Sequence, residues 1–223
     1  MSGKKSPFKA AALAMGLAVL FPGRPMAGGE TGGGTAGDSL LFMSSARSEG
    51  LLAPVAGGGG LTGLASNPAS LAGQEYRAVS GSYTELLGGS SLGQLEVASP
   101  VWSVVVAFQL GSFNAGELDV PVGSGGTRKI QLQKDLVSGG SVALPVAGGL
   151  SAGLTAKWFQ STLAETYRAS TQLFDAGLRY VLLGGKLAFG AAMRNMGGRL
   201  KYDVSSMPLP LESSLGASYC AWH

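Results

Sequence analysis

The side chains with the widest chemical reach are scarce in this chain of 223 residues: one histidine, His223, and one cysteine, Cys220, both among its last four residues. A Ser-His-Asp triad, a His-rich zinc site or an HExxH helix cannot be assembled from a single terminal histidine. A lone cysteine excludes an internal disulfide and a cysteine-rich metal site. The run Gly57–Gly60 followed by Leu61-Thr62-Gly63 superficially suggests a phosphate loop. It lacks the Gly-Lys-Ser/Thr that such a loop needs, so its glycines are read as allowing close packing against other backbone. No pair of carboxylates stands at a spacing that marks acid–base catalysis. The chain reads as a non-enzyme, and no cofactor is implied.

What remains is a small set of charges and one turn motif. Lys157, Asp175, Arg179 and Arg194 fall on the polar side of alternating segments. Such a set either forms mutually paired charges that hold two layers together or makes a polar constriction that selects solutes. Asn67-Pro68-Ala69 is a turn motif, since Asn favours turn starts and Pro fixes φ near about −65°. Arg128, Lys129 and Lys134 read as a solvated loop.

These residues sit in an unusual background. Charged residues are 13% of the chain and hydrophobic residues 45%, with 37 glycines and a mean hydropathy of +0.25. Soluble domains are nearer about 25% charged. Glycine has no triplet period, so collagen is excluded, and its abundance disfavours helix. The three lysines Lys4, Lys5 and Lys9 precede an apolar run, Ala10 to Phe21, which Pro22, Gly23 and Pro25 end. This is the pattern of a secretory signal peptide over residues 1–27. Without it the chain carries 12 basic and 13 acidic residues. The basic pI therefore comes largely from the leader and gives no support for nucleic-acid binding.

After a Gly-rich linker (28–37) and a small-residue segment (38–74), the texture changes to short alternating runs with Gly, Asn and Asp between them. Alternation at period two predicts antiparallel strands. Trp102, Val104, Val106, Phe108 and Leu110 share one face; so do Leu150, Ala152, Leu154, Ala156 and Trp158. Phe174, Ala176, Leu178, Tyr180 and Leu182 oppose Asp175, Gly177 and Arg179. Leu187, Phe189, Ala191 and Met193 oppose Lys186, Gly190 and Arg194. Leu211, Leu215, Ala217 and Tyr219 oppose Glu212, Ser214, Gly216 and Ser218. More weakly, Leu95 and Val97 oppose Gln94 and Glu96. Gly184-Gly185 reads as a two-residue hairpin, Asn195 with Gly197-Gly198 as another turn, and Ser161–Tyr167 and Gly123–Gln133 as longer polar connections. Pro145 suits an edge or a bulge. About nine or ten strands are expected after Glu75 by this template.

An apolar face on every strand fits a soluble β-sandwich as well as a membrane barrel. Export, runs of about 9–11 residues, and a polar face of Gly, Ser and Thr rather than Lys and Glu favour the barrel. Trp102, Trp158, Tyr180 and Tyr219 near run ends fit interfacial aromatic girdles.

The order of the motifs resembles the PorV/PorQ family of bacterial outer-membrane proteins, relatives of FadL-type channels. It runs from Gly34-Thr35 and Ala46-Arg47 to Asn67-Pro68-Ala69 with Leu71-Ala72. Gly153–Lys157, Asp175-x-Gly177-x-x-Tyr180, Asn195-x-Gly197, Leu209-Pro210 and the strand Leu215–Tyr219 follow. The resemblance implies a transmembrane barrel of about 14 strands with an N-terminal segment inside the lumen. It also implies transport of hydrophobic compounds or an accessory role in type IX-like secretion. The partners implied are outer-membrane lipid and either hydrophobic small molecules or secretion-system proteins. Two features depart from the family: Ser44–Gly50 lacks the usual Gly- and Met-rich form, and residues 75–223 hold only about ten strands at roughly 15 residues each. The ending Tyr219-Cys220-Ala221-Trp222-His223 lacks the terminal aromatic residue of such barrels and reads as a truncation or frameshift. The expectation is an all-β, antiparallel transmembrane β-barrel, FadL-like and incomplete, with residues 38–74 as a small-residue luminal segment and 75–223 as barrel strands. The alternatives are a soluble secreted β-sandwich for binding or adhesion, and a truncated remnant without function.

Overall fold

Residues that alternate at period two, interrupted by glycine, form strands because each side chain then has a fixed face. A computed structural model describes residues 36–42, 54–123, 125–202 and 205–220. The expected signal peptide, most of the linker, Ala46-Arg47, Trp222 and His223 lie outside the described residues. The protein is all-β and antiparallel. Its main sheet has eight strands, each paired to the next in order: β1 (Ala78–Glu85), β2 (Ser91–Val101), β3 (Val104–Asn114), β6 (Gln133–Ala147), β7 (Leu150–Leu163), β8 (Tyr167–Leu182), β9 (Leu187–Gly197) and β12 (Glu212–Tyr219). Two small hairpins branch from it: β4 (Glu117–Val122) with β5 (Gly126–Gln131), and β10 (Arg199–Tyr202) with β11 (Ser205–Pro208). Among the described residues β1 and β12 are not paired with each other, so the sheet is open.

The two ends of the sheet differ. At one end Trp102-Ser103 joins β2 to β3, Gly148-Gly149 joins β6 to β7, and Leu183–Lys186 joins β8 to β9. The opposite end carries both small hairpins and the 3-10 turn Leu87–Gly89.

Five local expectations are corrected. Trp102 is not in a strand; it sits in the β2–β3 turn with φ 54, a left-handed conformation that ends the alternation. The β8–β9 turn is four residues rather than two, because Leu182 pairs with Leu187. Ser161–Leu163 continue β7 and Tyr167 opens β8, leaving a connection of only Ala164–Thr166. The supposed loop after Gly123 contains β5, where Arg128 and Lys129 reside. Asn195 is no turn: it lies inside β9. Pro145 does sit beside a bulge, at the end of β6 beyond the residues paired with β3, so its missing N–H leaves no β3 partner unsatisfied.

The segment before β1 covers one face of the sheet. It contains the helical turns Ser39–Phe42 and Pro54–Gly57 and the 3-10 helices Gly60–Gly63 and Pro68–Gly73. Pro68–Gly73 packs on β3, β6, β7 and β8; Pro54–Gly57 packs on β9 and β12; Gly60–Gly63 reaches β2. One short segment touching seven neighbouring strands requires the sheet to curl around it. Three small apolar clusters form there: Leu61, Leu64 and Leu71 with Val105 and Ala143; Leu40 and Leu209 with Phe159 and Leu173; Val55 and Ala56 with Ala192.

The other face is bare. Leu95, Val97, Val106, Phe108, Val142, Leu154, Trp158, Phe174, Leu178, Phe189, Met193 and Leu215 are all exposed there, Leu154 by 61% and Leu178 by 51%. In a water-soluble sheet the apolar side chains meet a second layer; here the small and polar face is the covered one.

Candidate functional site

Three glycines seat the covering segment on the wall. A Cβ on Gly153 would strike the backbone of Pro68 and Ala69, one on Gly177 the side chain of Asn67, and one on Gly190 the backbone of Val55. Gly153 and Gly177 are register partners across β7 and β8, so the two strands share one smooth contact surface. Asn67 closes the joint. It is fully buried and caps the 3-10 helix Pro68–Gly73, its side-chain oxygen accepting from Ala69 N–H at 3.0 Å. Its amide donates to the carbonyls of Val55 at 2.8 Å and Leu178 at 3.0 Å. Pro68 opens that helix, where its fixed φ fits and no N–H is required, and Ala69 is small enough to lie against Gly153. The motif is thus a rivet between segment and wall rather than a plain turn.

The four charges picked out by alternation all lie on the covered side. Lys157 of β7 donates to Asp175 of β8 at 2.8 Å, with side chains only 9% and 6% exposed. Lys157 also donates to the Asn195 side-chain oxygen at 2.7 Å. Asn195 owes its position to a bulge. The β8–β9 register shifts between Phe174 and Ala176, so Arg194 and Asn195 together oppose Asp175, and Asn195 takes φ 58. Its backbone N–H, turned out of the ladder, donates to Asp175 Oδ1 at 2.8 Å, and its side-chain amide donates to Pro210 O at 3.1 Å. Arg194 donates to Ala65 O and pairs with Glu212 of β12. Arg179 donates to Ala56 O at 3.0 Å. Lys157, Asp175 and Arg194 therefore form one network with Asn195 and Glu212, while Arg179 stands apart and fastens the segment alone. Each positive group in the network has an acidic partner, which is what a charge needs when it leaves water.

Beside this network lies a cleft of about 470 Å³ of empty space, part of it open solvent. Lys157, Asp175 and Arg194 line one side; Gln94, Glu96 and Gln109 of β2 and β3 line the other. Glu96 was readable as polar-side from alternation, yet nothing in the sequence marked it as different. In the structure it is 5% exposed and makes no hydrogen bond or ion pair with any described residue. Such isolation depends on which residues lie across the covered face, which spacing along one strand does not encode. Among the described residues no group of three or more His, Cys, Asp or Glu is placed to hold a metal ion.

A second buried carboxylate, Asp135 of β6, accepts from Ser39 and from Gln133 at 2.6 Å, tying the turn Ser39–Phe42 to the wall near the long-loop end. On β10 beside it, burial pushes the Tyr202 phenol up from its ordinary pKa. On the exposed β4–β5 hairpin Lys129 pairs with Glu117 at 3.7 Å, and Arg128 reaches Glu165 of the β7–β8 connection at 3.3 Å. At that exposure such pairs stabilise by less than about 1 kcal/mol.

No protein-family model matches the chain, and no curated protein matches it.

Proposed function

We propose that this chain is the wall and internal segment of an outer-membrane β-barrel of PorV/PorQ type, FadL-like in plan. Its role is gated passage of hydrophobic compounds or support of secretion rather than open diffusion. The observation that carries the reading is the reversed sheet: apolar side chains bare across eight strands, and charges, glycines and a fixed segment on the other side. Lipid is the medium that makes this arrangement favourable, since each buried side chain of Leu or Phe size contributes about 1.5–3 kcal/mol over exposure to water.

Dimensions support it. The stretch of β8 from exposed Tyr167 to exposed Tyr180 is fourteen residues long, thirteen steps along the strand. At about 3.3 Å per residue and a tilt near 40° it spans roughly 33 Å, close to a hydrocarbon core of about 30 Å. Trp102 is 98% exposed in its short turn, and Tyr219 ends β12 on the same side, as interfacial anchors would. Trp158 belongs to the apolar band instead, inside β7. Both added hairpins stand at one end of the sheet, beside the three-residue β7–β8 connection, and only short turns stand at the other, an asymmetry in the sense of such barrels. In hydrocarbon an unpaired edge costs several kcal/mol per polar group, so the reading requires β1 and β12 to find partners there.

The preference for a gate over an open pore rests on the rivets: Asn67, Arg179 and Arg194 each bond the internal segment to β8 or project to it from β8 and β9. The test is fractionation of cells making the full chain, followed by an alkaline carbonate wash. Retention in the outer-membrane pool with release only by detergent is expected. Recovery in the soluble fraction, folded, would refute the assignment and favour a secreted binding protein.

A further inference from the structure

The charges around the cleft can be summed. Lys157 is matched by Asp175, and Arg194 by Glu212. Glu96 is left over. Its carboxyl lines the cleft, nine-tenths and more of the side chain's residue surface is covered, and no described group answers it. A carboxylate withdrawn from water without a partner is costly and is relieved by a proton or by a cation; a ligand bringing one positive charge supplies the second. Divalent ions are poorly served: they want several oxygen donors, most of them anionic, and of the two carboxylates lining the cleft Asp175 is already engaged by Lys157. Anions are disfavoured because both nearby cations are already engaged. The flanking donors are amides. Gln94 lies two residues along β2, on the same face as Glu96, and Gln109 is its register partner on β3. Apolar Leu40 and Val137 also line the space.

We propose that this cleft binds a primary ammonium carried on a short alkyl chain, the ammonium seated on Glu96 with the side-chain oxygen of Gln109 beside it, and the chain lying against Leu40 and Val137. The site is built from the covered face alone and does not depend on what the bare face touches. Failure of one proposal therefore leaves the other intact.

The probe is n-butylammonium chloride, titrated calorimetrically into the purified full chain at constant ionic strength, with n-butanol as the uncharged comparison. Saturable binding of butylammonium at least tenfold tighter than butanol is expected. Glu96→Gln should weaken it at least tenfold, Glu96→Asp less, and Gln109→Leu about threefold, with circular dichroism confirming the fold of each variant. If Glu96→Gln does not fold, Gln109→Leu and the butanol comparison decide the matter. Equal affinity for butanol and butylammonium, or unchanged affinity in a folded Glu96→Gln chain, would overturn the proposal.

Discussion

The two faces of the sheet obey opposite rules though the same strands supply both. On the covered face stand Gly153, Gly177 and Gly190, the pair Lys157–Asp175 and the rivet Asn67; on the bare face stand Phe108, Leu154, Phe174 and Leu178. In a soluble β-domain apolar contact holds the layers together and the polar face meets water. Here the layers are joined by hydrogen bonds and backbone contact, with only small apolar clusters between them, while the buried ion pairs tie strand to strand within the sheet. Most of the large apolar surface is left facing outward. Stability on the covered side is therefore set by whether every polar group is satisfied, and on the bare side by the surrounding medium. Substitutions should separate the two.

The largest effect is expected inside. Asp175→Ala leaves Lys157 buried without its acidic partner and removes the acceptor of Asn195 N–H. Breaking a buried pair in this way costs about 3–5 kcal/mol, read as a lowered midpoint of denaturant unfolding in detergent. Next comes the bare face. Leu178→Arg should cost about 2–4 kcal/mol in a bilayer yet little in aqueous buffer, measured as the ratio of folded to unfolded chain with and without lipid. Equal cost in both media would erase the contrast between the faces. Asn67→Ala should follow at about 2–3 kcal/mol, because it leaves buried groups on Val55, Leu178 and Ala69 unpaired. It should also raise hydrogen exchange in Pro68–Gly73 before exchange in β8. Glu212→Gln is expected to be smallest, at about 1 kcal/mol or less, since its carboxylate is 34% exposed and Arg194 keeps its bond to Ala65.

Much of this was legible in the residues themselves. Alternation separated Phe174, Leu178 and Tyr180 from Asp175, Gly177 and Arg179 because a strand has only two faces, and that partition matches the burial along β8. Positive φ was not legible. Trp102 looked like the first member of an apolar face, and Asn195 looked like a turn, since a backbone torsion of 54 or 58 leaves no mark in a period-two pattern. The Asn195 bulge in turn decides that Asp175 meets a backbone N–H, so the central ion pair was anticipated by face and not by geometry. The β10–β11 hairpin was missed because Arg199–Tyr202 is too short to show a period. Glu96 was assigned its side, but its isolation is a fact about the far side of the cleft.

The bare face meets either lipid or water. Nitroxide labels placed one at a time at Phe108, Leu154 and Leu178, with Cys220 replaced by Ser so that each chain carries one thiol, would report which in reconstituted bilayers. Collision with dissolved oxygen should exceed collision with a water-soluble nickel chelate at all three positions. Nickel accessibility equal to that of an exposed loop position, such as one on the β4–β5 hairpin, would contradict lipid contact.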